Sequence, residues 1–491
     1  MTLDRFSLPD GGTRLSFRSS GAQVVLEVPT SGLPRVLHWG QDLGELSAAD
    51  LEALVASGPQ RALTGLPSNG VPAALLPSPA DGWLWTPGIT GHREGADFSP
   101  AFTVTGVQVL ASDRPEIAHH VQVTASDSVA GLDLSIDVQA RRARVGAGVK
   151  WTHLVAALAG SGLTGTPGST DDLTVVGYHT GGGLPWFGRA YGPAARWVRA
   201  WQVVRADGSL AEVTAESDPD LFWALGGGGG GLGVITAVEI ELLPAPPLVG
   251  GQLMWPAEHA AQVLETFAEV TATAPAELTL WLWLITFPPT EPFPPELHGR
   301  SMVNVNVTFL GDEAEAVRLL APLRAIPGLE VDTVAPLPVS ELSSVANEPT
   351  DPLPVLDWSH FVAELSADFR EGLLEVNPPH PQTPMIACIR HLGGALRAEV
   401  PTAVEPIEEE YLLFGFALAG SPAEEERVHG HWRVLEDRLG RHLSERTHLN
   451  MLGPDPDVTR ALRPATLDRL RRVKATQDPQ RVFRSHRPIL P

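Results

Sequence analysis

The chain has 491 residues, 43% of them hydrophobic, with 35 basic against 58 acidic side chains and a net charge of −23. That length allows two or three domains with sizeable cores, and the acidic balance argues against a nucleic-acid surface or an anionic membrane as partner. The one cysteine, Cys388, excludes an internal disulfide and a cysteine metal cluster.

The opening residues MTLDRFSLPDGG lack a basic segment followed by an apolar core, so no signal peptide is expected there. No apolar run approaches membrane-spanning length, and no period of 20–50 residues marks a repeat array. The composition reads as a soluble, cytoplasmic protein with neither nucleic acid nor membrane as partner. Residues 1–138 read as all-β. The runs 22–28, 102–110, 119–125 and 132–138 alternate apolar with polar residues, as half-buried strands do. One helix is expected over Ser47–Ser57, capped by Ser47 with Asp50 and Glu52 in its first turn.

From residue 139 the texture changes to short strands, glycine-rich turns and helices. The segment ARVGAGVKWTHLVAALAGSGLTGTPGST (143–170) reads strand, turn, helix, then a loop. Its end, Pro167-Gly168-Ser169-Thr170, offers main-chain amides and two hydroxyls to an anion; a plain turn is the simpler reading. In VVGYHTGGGLPWFGRAYG (175–192), Gly181, Gly182 and Gly183 precede Trp186, Phe187 and Tyr191. Three glycines allow close approach to a planar, partly anionic ligand, or form a surface loop. The run Gly226–Gly231 matches G-x-G-x-x-G trivially, but the strand-like VITAVEIEL follows where a Rossmann fingerprint needs a helix. A glycine run feeding a strand lets backbone pass close to a cofactor instead. After the stiff stretch 243–247 come helices at 257–272, 312–325 and 422–441, alternating with strands at 278–287, 301–310, 384–391 and 410–418. This pattern predicts a sheet with helices on one face. A basic amphipathic helix is expected at 459–475.

These glycine segments, in this order, resemble the FAD-linked oxidases of the berberine-bridge-enzyme type, within the vanillyl-alcohol-oxidase superfamily. The resemblance runs from about Ala140 to the C-terminus. It is carried by R-V-G-A-G-V (144–149), V-V-G-Y-x-x-G-G-G (175–183), R-A-Y-G (189–192), A-D-G (206–208) and D-P-D-L-F-W-A-L (218–225). Near the end it includes HLGGALR (391–397), THLNM (447–451) and QDPQRVFRSHRPI (477–489). It implies an α+β chain whose FAD-binding domain, of the PCMH type, occupies 139–248, with an antiparallel-sheet-plus-helices substrate domain at 249–445 and a closing return at 446–491. It implies FAD contacts at Gly168, Ser169, Thr170, Gly177, Gly181, Gly182, Gly183, Gly192, Gly228, Gly229, Gly233, Val234, Ile235 and Asn450. His448 stands where the family often carries the tyrosine of a Tyr-x-Asn segment, and is the first candidate base. His391, and after it His360, are lesser candidates; a structural histidine is the plain alternative for each.

Three departures separate the chain from that family. The first half of its FAD domain, with an Arg-x-Gly-Gly-His motif whose histidine often bonds the flavin, has no counterpart; Gly91-His92 lies between Thr90 and Arg93 and does not match. Thr170 stands where some members carry a flavin-linked cysteine, so FAD is expected to be non-covalent. Asp171-Asp172-Leu173-Thr174 replaces the usual Pro-Thr-Val-Gly, and Gly226 and Gly231 replace the usual Arg and Asn. Two carboxylates beside a pyrophosphate would repel it.

The N-terminal third has a second resemblance. LPRVLHWGQDLG (33–44) and LLPSPADGWLWTPGITGHREGADFSP (75–100) are similar to the N-terminal β-sandwich of α-galactosidases. Those enzymes carry their catalytic carboxylates in a later barrel domain that has no counterpart here. Asp42, Asp81 and Asp97 have no defined spacing for glycoside hydrolysis. The chain reads as two partial families fused near 136–142. Three functions follow as alternatives: a FAD-dependent oxidase of a small alcohol, sugar or secondary metabolite with oxygen as acceptor; a remnant that holds FAD weakly or not at all; or a carbohydrate-binding or glycoside-processing protein.

Overall fold

A computed structural model describes residues 2–19, 22–30, 33–41, 43–57, 103–110, 120–127, 132–139, 142–289, 295–348, 353–453, 457–485 and 487–489. Gly91, His92, Asp42, Asp81 and Asp97 lie outside the described residues. The chain divides into two compact units: Met1–Ala143 with Leu158–Leu163 and Leu242–Pro244, and the remainder.

The first unit is built from antiparallel strands. Thr2–Ser7, Thr13–Ser19, Ala22–Val28 and Arg35–Gln41 form one sheet in sequence order, and Thr103–Leu110, His120–Asp127 and Leu132–Gln139 form another. Alternation sends Leu15, Phe17, Leu26 and Val28 to a shared core with Val123, packed by Val104 and Val107 of the second sheet. The result is the expected sandwich-like fragment. Its helix, Ala48–Ser57, starts where Ser47 and Asp50 cap each other: the Asp50 amide donates to Ser47 Oγ at 3.2 Å and the Ser47 amide to Asp50 Oδ2 at 2.8 Å.

The second unit opens with a four-stranded sheet in the order Leu210–Val213, Val198–Val204, Val234–Glu241, Arg142–Gly146. The short helix Pro219–Leu225 is started by Asp218, whose side chain accepts from the Leu221 amide at 3.2 Å, with Pro219 in its first turn.

A larger antiparallel sheet follows. Its strands run Val331–Asp332, Leu248–Pro256, Ser301–Leu310, Leu278–Thr286, Ile386–His391, Tyr411–Leu418, Val355–Val362, with Ala335–Pro336 also paired to Leu248–Pro256. The helices Ala260–Ala272, Glu313–Arg324, Ala367–Val376 and Pro422–Leu439 cover one face. Alternation along Leu278–Thr286 decides the two sides. Leu280, Leu282 and Leu284 enter the core under the helices with Val303, Val305, Val307, Ala387 and Ile389. Trp281 and Trp283 point the other way, and there Cys388, Phe414 and Phe416 meet Trp186 and Phe187 from the glycine-rich segment. The tryptophan face is therefore the one turned toward the flavin-type motifs.

The closing helix Pro464–Gln477 returns to the glycine segments through a buried ion pair. Lys474 and Asp478 are 6% and 1% exposed. The Lys474 ammonium contacts the Asp478 carboxylate and donates to the Gly231 carbonyl at 2.6 Å and the Phe483 carbonyl at 3.0 Å. Asp478 accepts the Val482 and Phe483 amides at 2.7 and 2.9 Å. Burial alone would raise its pKa, but Lys474 and the two amides hold it below the usual carboxylate value. The motif QDPQRVF thus makes a loop around one carboxylate. Lys474→Met would leave Asp478 buried and unpaired, at a cost of about 3–5 kcal/mol. Urea unfolding should show this as a lowered midpoint at unchanged slope, and a midpoint equal to the parent's would contradict the role.

Candidate functional site

The glycine loop and the closing segment meet directly. Asn450 Oδ1 accepts the Gly183 amide at 2.9 Å, and Asn450 Nδ2 lies 3.4 Å from the Tyr178 carbonyl. A Cβ on Gly181 would come within 2.3 Å of Asn450 Nδ2, so only glycine permits this seat. Gly182 has φ +100 and faces His448, whose Nε2 would be 3.4 Å from a Cβ placed there. His448 Nδ1 accepts the Asn450 amide at 3.3 Å, which orients the ring. The Gly227 and Gly229 amides both donate to the Thr180 carbonyl, at 3.1 and 3.0 Å, and the Gly228 amide donates to Ala224 at 3.1 Å. Candidates 181–183, 228, 229, 448 and 450 are therefore gathered in one place.

The other candidates surround it, and Gly168 shares the Tyr178 ring with Gly183. Gly168 packs on the Tyr178 ring, 3.2 Å from a Cβ position, and Thr170 Oγ1 accepts the Asp172 amide at 3.3 Å. Ser169 is half-buried beside them. Gly177 lies in the helix Val175–Thr180, its amide directed to Thr174 Oγ1. Gly192 ends the helix Gly188–Tyr191. Gly233 leads into the strand where Val234 and Ile235 pair with Val204 and Val203, and Val234 is 53% exposed. The two carboxylates after Thr170 are engaged by the protein: Asp172 Oδ1 is 2.5 Å from Lys150 Nζ, and Asp171 Oδ2 accepts from Ser343 Oγ at 3.2 Å.

Electrostatics separate the histidines. His448 is buried, and burial followed by the charge of Arg390 lowers its pKa to about 4. His179 is buried between Trp151 and Tyr178, donates from Nδ1 to the Val175 carbonyl at 2.7 Å, and is also lowered to about 4 by burial. His391 sits on the helix-facing side of the sheet, stacked on Tyr411 with centroids 5.8 Å apart, and burial and Arg189 hold its pKa well below 6.5. Strand alternation thus turns it away from the tryptophan face. His360 binds the Ser444 carbonyl through Nδ1 at 2.8 Å, beside Arg460 and Glu436.

Two arginines complete the surroundings, and neither is among the site candidates drawn from the sequence. Arg189, of R-A-Y-G, donates from Nε to the Leu278 carbonyl at 2.9 Å, from Nη2 to Ala274 and Pro275 at 3.1 Å, and from Nη1 to Leu392. It ties the glycine-rich segment to the sheet. Arg390 lies on the tryptophan face, its guanidinium 3.9 Å from the Trp281 ring centroid. A lone arginine inside the apolar strand Ile386–His391 was the available signal for it.

These residues fit a flavin in chemistry and restrict it in space. Tyr178 OH, Trp186 Nε1, Thr402 Oγ1 and Arg390 Nε are buried without a hydrogen-bonding partner among the described residues, which is unusual unless a polar ligand or water completes them. A Cβ on Gly183 would meet Ala194 at 2.5 Å and one on Gly227 would meet Val404 at 2.5 Å, so protein atoms fill the space beside both glycines. The cavity lined by Gly181, Gly227, Val404 and His448 has a volume of about 10 Å³, room for one water. A flavin ring there requires the Val404 segment to move.

Comparison with known proteins agrees with both resemblances. Residues 128–214 match the family described as FAD binding domain, and residues 32–145 match the glycosyl hydrolase family 36 N-terminal domain. The chain is 34% identical over 170 residues to the FAD-dependent monooxygenase FUP4 of Fusarium proliferatum, covering 34% of this chain and 32% of that protein. It is 35% identical over 137 residues to the FAD-dependent monooxygenase tpcD of Cochliobolus heterostrophus, covering 28% and 26%. The chain thus spans about a third or less of the length of these curated relatives. Among solved structures, 6-hydroxy-D-nicotine oxidase from Arthrobacter nicotinovorans superposes with a TM-score of 0.62 at 22% identity, over 72% of this chain and 79% of that one. A berberine bridge enzyme variant superposes at 0.60 and 20%, over 72% and 77%. The chain therefore has a segment matching a FAD-binding domain, and a fold similar to that of the berberine-bridge-type flavin oxidases, after a segment matching the glycoside hydrolase family 36 N-terminal domain.

Proposed function

We propose that the chain is a FAD-dependent oxidoreductase that takes a hydride from a small alcohol, sugar or secondary metabolite, with oxygen as the final acceptor. The observation that carries this reading is the seating of Asn450 and His448 on Gly181–Gly183, which joins the closing segment to the glycine loop. FAD, when bound, supplies the two-electron acceptor. The loops 168–170, 181–183 and 228–235 would hold it without a covalent bond, since Thr170 cannot form a thioether. His448 is neutral near pH 7 and is the base; with the Asn450 amide donating to Nδ1, the ring proton sits on Nε2, so the substrate proton is taken at Nδ1 once that amide contact opens. The domain division at 248 and 445 belongs to this reading.

A second reading has its own support. Protein atoms beside Gly183 and Gly227 fill space that a ring system needs. On this reading the chain is an impaired remnant. The two readings unite in one expectation: FAD binds weakly, because opening the Val404 segment is subtracted from its contacts, at tenfold per ~1.4 kcal/mol.

Titration of the purified chain with FAD, followed by flavin fluorescence, should half-saturate in the micromolar range or above, and acid precipitation should release all of the flavin. Flavin retained in the precipitate would refute non-covalent binding, and no binding at millimolar FAD would leave the remnant reading alone. His448→Gln should lower substrate-dependent flavin reduction by roughly 10²–10⁴-fold while FAD affinity stays unchanged; undiminished reduction would remove His448 from the proton transfer.

Burial of His179 and His448 also couples folding to pH. Both have folded values of about 4 against an ordinary 6.5. Between those values the unfolded chain takes up protons that the folded chain refuses. Stability is therefore full above pH 6.5 and lost as the pH falls toward 4, by about 1.4 kcal/mol per pH unit for each histidine. Urea unfolding at stepped pH would contradict this if the midpoint were constant from pH 7 to 5.

A further inference from the structure

Arg390 is a buried cation that is only partly satisfied among the described residues. The residue is 3% exposed, and its guanidinium carbon stands 3.9 Å from the Trp281 ring centroid and 5.4 Å from that of Phe414. Trp281 is stacked in turn on Trp186, with centroids 3.6 Å apart. Stacking occupies the flat face of the guanidinium and leaves its N–H rim for an acceptor lying in the plane. Nε has no partner among the described residues. The carboxylate paired with it, Glu348, has Oε1 3.7 Å from Nη2, beyond hydrogen-bonding distance, and its side chain is 25% exposed.

The contrast with the other buried cations is informative. Arg189 donates to four main-chain carbonyls, and Lys474 to a carboxylate and two carbonyls. A structural cation is expected to be satisfied in this way, because an unsatisfied buried charge is costly. Among the described residues Arg390 meets that requirement only through the loosely held Glu348 and the Cys388 sulfur, a weak acceptor. It also stands among the groups the proposed reaction uses: its charge reaches His448, and the Tyr178 hydroxyl in its field is buried and unpartnered.

We propose that Arg390 recognises the carboxylate of a small organic acid substrate, and that Glu348 is a displaceable internal stand-in for that carboxylate. This deepens the oxidoreductase reading and rests on it for the word substrate. Guanidinium and carboxylate match edge to edge with two parallel hydrogen bonds, a geometry Glu348 does not achieve. The cavity touching Arg390, Trp281 and Thr279 has a volume of about 10 Å³, so the incoming acid takes the space Glu348 now fills rather than an existing void.

Propionate reproduces the glutamate side chain beyond its Cα and is the probe; propionamide is its uncharged control. Both are titrated into the full chain without flavin, followed by tryptophan emission, for the parent, Glu348→Ala and Arg390→Gln. The parent should bind propionate saturably and propionamide not at all. Glu348→Ala should bind propionate about tenfold tighter, since the competing acid is gone, and Arg390→Gln should lose the binding. Equal response to the two probes, undiminished binding in Arg390→Gln, or binding confined to Glu348→Ala would overturn the proposal; the last would make Glu348 a permanent partner. If Arg390→Gln fails to fold, the comparison of the two probes on the parent and Glu348→Ala decides alone. FAD titration of the same samples reports on the flavin reading separately.

Discussion

The buried pair of Lys474 and Asp478 is the constraint on which the assembled site depends. A lysine can be enclosed here only because a carboxylate and two carbonyls receive its three N–H groups. One of those carbonyls belongs to Gly231, at the end of the glycine run, so the ion pair joins the closing helix to the segment that most resembles a flavin loop. The same return of the chain carries His448 and Asn450 to Gly181–Gly183. Arg189 makes the second tie, from the helix Gly188–Tyr191 to the large antiparallel sheet and the turn before it, through four carbonyls. Both anchors bind main-chain oxygens, which fixes the path of the backbone more than the identity of nearby side chains.

These ties hold the glycine segments in one arrangement. The glycine loops are held by Asn450, Val404, Tyr178 and Ala194 rather than left open. Such packing satisfies the apolar surface a ligand would otherwise cover. It also removes the volume a ligand needs, since interiors close to crystal density leave few voids. Order and occupancy thus compete at the same glycines.

Much of the secondary structure was legible in the sequence because its periods are clean. Leu278–Thr286, Ser301–Leu310 and Tyr411–Leu418 follow their apolar runs within a residue or two, and the helix Glu313–Arg324 begins where Asp312 caps it. The closing helix begins at Pro464, five residues after the expected start, because a proline favours the first turn. The meeting of the Gly-Gly-Gly loop with His-Leu-Asn was implied only by resemblance, since nothing local links residues 267 apart. Two features were not legible. Alternation along Ile386–His391 separates Arg390 from His391 but does not say which side faces the helices; that is decided by which neighbours supply leucines and which supply tryptophans. The collapse of space beside Gly183 and Gly227 depends on Val404 and Ala194, residues with no motif of their own.

On the proposed reading FAD binds at the glycine loops gathered under His448 and Asn450, and its binding opens them. Hydrogen–deuterium exchange of the full chain with and without saturating FAD tests this most directly. Exchange should change in peptides spanning 177–184, 226–235 and 447–451, and quicken around Val404 as that segment moves aside. Saturation with FAD that leaves all of these unchanged, with the response confined to residues before 140, would contradict it.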